Sequence, residues 1–193
     1  MTTQPHQTRS RDELINVYQS GSPYKYLAFW GHRQKTQNIA DKSCLSNWFP
    51  APFTIEGVTY PTSEHHMMAQ KAILFGDQDI FTQIVAADSP GKVKSLGRKV
   101  KNFSEDLWVS KRFEIVLEGN LAKFSQNPTL QTFLLSTKKR VIIEASPVDK
   151  VWGVGLAADD PKITNPTLWN GENLLGFVLM ETRERLLQQS VMH

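Results

Sequence analysis

Helix-start signals recur at short intervals through the middle of this sequence and restrict the chain to a helix-rich fold. Thr62 follows Pro61 and precedes EHHMMAQKAILF; Asp77 precedes Ile80, Phe81, Ile84 and Val85; Ser89 is followed by Pro90; Ser104 opens the longest run; Asn127 is followed by Pro128. A short polar side chain at such a position accepts a hydrogen bond from an amide of the first turn, and proline there gives up an amide that has no helical partner. The spacing predicts a helix over 64–75, a second beginning at Asp77, a third from Pro90 to near Gly97, and a fifth after Asn127 carrying Leu130, Phe133 and Leu134. In the fourth, after Ser104, Val109, Phe113, Val116, Asn120, Leu121 and Phe124 recur at helical intervals. A last helix over 173–188 carries Leu175, Val178, Leu179 and Leu186 on one face.

Strands are few and short. Tyr24 to Trp30 (YKYLAFW) and Arg140 to Glu144 (RVIIE) read as strands, and 53–60 alternates around a Glu56-Gly57 turn as a small hairpin. The class is mainly α (α+β), in one domain, as 193 residues allow. The polar segment 1–20 is expected to be poorly ordered, with the folded domain over 21–190. Gly31 to Ser43 reads as a loop. Gly153 to Gly171 lacks periodicity, and loops of that length in a folded domain are usually functional or disordered.

Charge excludes more than it selects. The chain has 22 basic and 19 acidic residues, a net +3, which falls short of a nucleic-acid-coating surface. Cys44 is the single cysteine and reads as a small buried hydrophobe. The first residues lack the apolar core of a signal peptide, and no apolar run approaches the ~18 residues needed to span a bilayer. Cytoplasmic residence is the expectation.

The densest cluster of chemically useful residues is Pro61-Thr62-Ser63-Glu64-His65-His66, with Lys71 two turns on. Glu64, Met68 and Lys71 share one helix face, with Glu64 and Lys71 roughly 10 Å apart along the axis. Long side chains so spaced can converge on one ligand; they equally fit an amphipathic helix with solvated charges. The adjacent histidines point about 100° apart, which does not suit metal ligation. No metal or cofactor is expected: there is no G-x-S-x-G, dinucleotide fingerprint or P-loop. Asp149, beside Trp152 and Gly153 after the second strand, is either a ligand edge or a plain turn. Trp48 and Trp108 read as core or site alike.

The order of motifs is more specific than any one of them. LSNWFPAPFTIEGVTYPTSEHHMMAQKAILFGD, SPGKVKSLGRKV, Trp108, KFSQNPTLQTFLLST, EASPVDKVWGVG and GENLLGFVLMETRERL together resemble the NADAR family, which includes YbiA-type N-glycosidases. The resemblance covers roughly 27–187. It implies a mainly helical fold and hydrolysis of ribosyl N-glycosidic bonds, in phosphorylated ribosylamino-pyrimidine intermediates of riboflavin synthesis or in ADP-ribosylated guanine. It implies catalytic roles for Glu64, Asp149 and Lys71, and a substrate-binding set of Asn47, Trp48, Arg98, Trp108, Trp152, Gly153 and Asn173. The implied partner is a small ribosyl or ADP-ribosyl substrate. Nucleic acid enters only with the guanine reading, through the run Lys92, Lys94, Arg98, Lys99 and Lys101. A non-catalytic sensor of NAD or ADP-ribose is the remaining alternative.

Overall fold

The computed structural model describes residues 3–36 and 39–191. They form seven α-helices, α1 (Arg11–Gln19), α2 (Ser63–Leu74), α3 (Gln78–Val85), α4 (Pro90–Gly97), α5 (Glu105–Gln126), α6 (Pro128–Ser136) and α7 (Leu174–Val191). The strands are β1 (Tyr26–Phe29), β2 (Phe53–Ile55), β3 (Val58–Tyr60) and β4 (Val141–Glu144). This is the α+β class expected. The chain folds as two compact units, residues 47–128 and residues 1–46 with 129–193. Among the described residues no helix is long and apolar enough to cross a membrane.

In the unit of residues 47–128, β2 and β3 pair antiparallel, Phe53 opposite Tyr60. Glu56 and Gly57 close the hairpin with φ of 48° and 79°, the two positive values a two-residue turn of this twist requires. Thr62 then caps α2, its side chain accepting from the His65 amide at 3.4 Å. Every residue from Ser63 to Ala69 is buried, so α2 is a central helix with no solvated face over its first two turns. Gly76 ends it in the left-handed region, at φ 72°.

Asp77 does two jobs. Its Oδ1 accepts from the Ile80 amide at 3.2 Å, starting α3, while Oδ2 accepts from the Lys101 amide at 2.9 Å, anchoring the loop before α5. The Lys101 bond leads the causes that hold its carboxyl below the usual carboxylate range. Ser104 caps α5 through the Leu107 amide. Ser89 does not form the expected cap bond: its hydroxyl donates to Asp88 Oδ1 at 3.2 Å, and Pro90 alone supplies the start signal.

In the other unit, β1 and β4 pair in parallel, Tyr26 opposite Val141 through Phe29 opposite Glu144. Val141, Ile142 and Ile143 are all fully buried, the unbroken apolar run of a strand covered on both faces. The first two turns of α7 are buried nearly all round, including Phe177 and Met180 as well as Leu175, Val178 and Leu179, and not on one face only. Gly176 permits this: a Cβ there would be driven into the Ile142 carbonyl. Gly176→Ala is expected to lower unfolding free energy by about 1–3 kcal/mol or more, since that backbone cannot yield as a flexible side chain does. A urea melt at matched pH reads the change.

The amino-terminal segment departs from expectation. Instead of a poorly ordered stretch over 1–20, residues 5–7 form a 3₁₀ turn and α1 follows. Ser10 accepts from the Glu13 amide at 3.2 Å, and Glu13 Oε2 accepts from the Arg9 amide at 2.8 Å, a close relative of the capping box. Leu14 is fully buried, Arg11 donates to the Pro166 carbonyl at 3.0 Å, and the buried Arg183 donates to the His6 carbonyl at 3.4 Å. Long-range bonds hold a segment whose composition is polar.

Candidate functional site

Glu64 lies in the first turn of α2 and is 4% exposed. Its amide donates to the Asn47 carbonyl at 2.9 Å, so the helix start and the Asn47-Trp48 segment are joined by backbone. Burial in the first turn, where the helix dipole favours an anion, replaces the solvated charge that spacing alone allowed.

Seven residues on, Lys71 is half-buried and in contact with neutral groups. Its Nζ donates to the Gly97 carbonyl at 3.0 Å and lies 4.2 Å from the Phe103 ring centroid and 5.6 Å from that of Trp108. Burial pulls its pKa below the ordinary lysine value, with Glu105 partly opposing. The structure therefore brings Lys71 and Trp108 together. Trp108 is 8% exposed, and Phe103 is braced edge-on by Phe75 at 5.2 Å. Arg98, directly after Gly97, is exposed at the end of α4. Trp48 is half-buried, with the Lys94 ammonium 5.9 Å from its ring.

The histidines between them serve the core. His65 Nδ1 shares a hydrogen bond with the Thr62 hydroxyl at 2.8 Å, and its Nε2 meets the Ala87 carbonyl at 3.2 Å. His66 is fully buried, edge-on to Tyr60 at 5.1 Å, and Gly119 leaves space for its ring. Burial pushes the His66 pKa down to about 4.

Asp149, Trp152, Gly153 and Asn173 belong to the other unit. Asp149 Oδ1 accepts from the Val151 and Trp152 amides at 2.9 and 2.8 Å, so one carboxylate oxygen makes the turn. Gly153 is buried against the Glu144 and Asp149 carbonyls, closer than a Cβ tolerates. Asn173, expected to bind substrate, is fully buried and spends both ends of its amide on β4. Oδ1 accepts from the Glu144 amide at 2.9 Å, and Nδ2 donates to the Ile142 carbonyl at 2.9 Å. Its own amide donates to the Gly153 carbonyl at 3.1 Å. It is a clamp on the turn that carries Asp149 and Trp152, with its side chain committed to the backbone.

Sequence reasoning passed over several buried polar groups on α5. Asn120 and Lys123 are fully buried and Arg112 is 9% exposed. Lys123 Nζ lies 5.8 Å from the Phe49 ring and 5.1 Å from that of Phe124. The signal was present, because Asn120 stands on the apolar stripe between Val116 and Phe124, where a polar residue calls for a partner. Phe103 carried no such signal; its place depends on the Asp77 anchor.

A family model described as the NADAR domain matches residues 28–187. The chain is 44% identical over 165 residues to "N-glycosidase R617" of Acanthamoeba polyphaga mimivirus, with 83% of this chain and 95% of that one covered. It is 32% identical over 176 residues to "N-glycosidase YbiA" of Escherichia coli (strain K12), covering 91% and 90% of the two chains. The NMR structure of the E. coli protein YbiA is similar with a TM-score of 0.68 at 28% identity, over 88% of this chain and 89% of that one. A third relative, "Riboflavin biosynthesis protein PYRR, chloroplastic" of Zea mays, is 34% identical over 192 residues, which is 92% of this chain and 28% of that longer protein. With the family model covering most of its length and relatives matched nearly end to end, the chain belongs to the NADAR domain family.

Proposed function

We propose that this NADAR-domain hydrolase of N-glycosyl compounds cleaves the ribosyl C–N bond of a phosphorylated ribosylamino-pyrimidine, the class of early intermediates in riboflavin synthesis. The observation that carries the reading is the buried Glu64 carboxyl at the start of α2. Breaking a ribosyl C–N bond develops positive charge on the sugar and negative charge on the departing nitrogen. A carboxylate held near the anomeric carbon stabilises that cation or activates the attacking water. Similarity to a protein named for riboflavin biosynthesis supports the substrate class.

Lys71 supplies the second group. An amine among two aromatic rings and a carbonyl, its pKa lowered by burial, is suited to attack at the anomeric carbon. Its nitrogen bonds to that carbon as the base departs with a proton; ring opening gives an imine, which water hydrolyses to free the sugar. Trp108 offers a face on which a flat base stacks.

Two measurements test this. Release of free pyrimidine from the phosphorylated ribosylamino-pyrimidine is assayed beside release of ADP-ribose from ADP-ribosylated DNA. Turnover of the second alone overturns the substrate class. The basic run gives the nucleic-acid reading little support: Lys92 lies 3.9 Å from Asp88, and Lys94 sits over Trp48. Borohydride added during turnover is expected to fix a sugar adduct on Lys71, read by peptide mass spectrometry. An unmodified Lys71 in an enzyme that is turning over removes the covalent step.

A further inference from the structure

The side-chain amides of Asn47 and Asn120 face one another, and one backbone carbonyl decides how both are turned. The nitrogen and oxygen ends of an amide have nearly the same shape, so hydrogen bonds alone distinguish them. Asn120 is fully buried on α5, and one end of its amide lies 2.9 Å from the carbonyl of Val116, one turn earlier. A carbonyl oxygen only accepts, so that end is Nδ2. The same Nδ2 lies 3.2 Å from the side chain of Asn47, whose facing atom must then be its acceptor, Oδ1. Asn47 Nδ2 is left pointing elsewhere, with no hydrogen-bond partner among the described residues.

The arrangement is held against a visible cost. Asn120 Oδ1 is buried with no hydrogen-bond partner among the described residues. Turning Asn120 over would be worse, because its oxygen would then face two other oxygens, those of Val116 and Asn47. The backbone carbonyl of Asn47 accepts from the Glu64 amide at 2.9 Å, so the amide in question stands at the start of α2.

We infer that Asn120 is a positioning residue, which turns the Asn47 side chain so that its N–H₂ group is offered to a ligand oxygen beside the start of α2. This rests on the proposed ribosyl phosphate substrate, whose hydroxyl and phosphate oxygens are the acceptors such a donor fits. Asn47 thereby selects for an oxygen acceptor at that point of the ligand and against a donor such as an amino group. Asn120 touches no substrate; it acts through Asn47.

The test compares Asn120→Asp, Asn120→Ala and Asn47→Asp by calorimetry with ribose 5-phosphate, the sugar the proposed hydrolysis releases, and by KM and kcat with the pyrimidine substrate. Asn120→Asp replaces the donor with an acceptor, so Asn47 swings its N–H₂ inward and presents its oxygen outward. Asn120→Ala only frees Asn47. The expected order is a loss of ribose 5-phosphate affinity of about 10–100-fold for Asn120→Asp and Asn47→Asp, and about 3–10-fold for Asn120→Ala. KM rises with little change in kcat. Equal losses in the two Asn120 variants, or a fall in kcat with KM unmoved, overturn the inference. A second readout is independent of substrate: Asn47 is 5% exposed, and in ¹⁵N-labelled protein its side-chain N–H₂ is expected to exchange with water faster in the wild type than in Asn120→Asp, where it gains an acceptor. Equal exchange in the two proteins overturns the inference. If wild-type protein binds no ribose 5-phosphate, the substrate reading fails, and the exchange pattern alone decides the orientation of Asn47.

Discussion

Glu64→Gln is expected to abolish nearly all N-glycosidase turnover and to leave the protein folded. The substitution keeps the shape and volume of a side chain that is 4% exposed, and removes only its charge. A neutral amide neither balances a developing sugar cation nor takes a proton from water, so kcat is expected to fall by about 10²–10⁴-fold. The helix keeps its Thr62 cap and the bond from the Glu64 amide to the Asn47 carbonyl, both of which are independent of the carboxyl group. Among what the fold loses is the interaction of an anion with the amino end of α2, typically about 0.3–1 kcal/mol. Steady-state kinetics alongside thermal melts separate the two effects. Turnover near the wild-type rate would take Glu64 out of the chemistry.

The second large effect is on stability in mild acid. His66 is fully buried with neither ring nitrogen hydrogen-bonded, and burial holds its pKa at about 4 against an ordinary value of 6.5. Above pH 6.5 the ring is neutral whether the chain is folded or unfolded. Between pH 6.5 and 4 the unfolded chain takes up a proton that the folded one refuses, so stability falls through that window and levels off below it. A displacement of one pH unit is worth about 1.4 kcal/mol, so the loss from His66 is about 3 kcal/mol. His65 and His6 are also lowered by burial and act in the same direction. Glu118, whose Oε2 lies 3.5 Å from His66 Nε2, is raised by desolvation and acts the opposite way, but its side chain is 57% exposed and water screens it. Urea melts between pH 7 and 4 on wild-type and His66→Leu protein test this. The variant should show a clearly flatter dependence, and identical slopes would assign the acid sensitivity to other groups.

Local signals carried much of the fold. Thr62, Asp77 and Ser104 cap the helices they were expected to cap, and Glu56-Gly57 turns the hairpin, because each depends only on residues within a turn of itself. Ser89 failed for an equally local reason, a neighbouring carboxylate that takes its hydroxyl. The order of the amino-terminal segment was not legible from its polar composition; its hold comes from Pro166 and Arg183, more than 150 residues away. The parallel pairing of β1 with β4 likewise joins segments that no local pattern relates.

The candidate site divides in the same way. Glu64 and Lys71 were legible as two charges on one helix face. Their environment was not, since the rings beside Lys71 come from the loop before α5 and from α5 itself. Asn173 entered only through the resemblance, as a substrate-binding residue, and its backbone partners on β4 could only be seen in three dimensions.

Asn173 and the glycines near it also set where this protein can be re-engineered. At Gly171 an added methyl group would meet the Gly153 carbonyl and the Lys150 backbone, and at Gly153 it would meet two further carbonyls. The base of the turn is thus rigid to mutation, whereas Pro147 and Val148 at its tip are exposed, Val148 to 85%. A combinatorial library built on this turn should randomise the tip and leave its foot untouched, because diversity at the foot would be spent on misfolded clones.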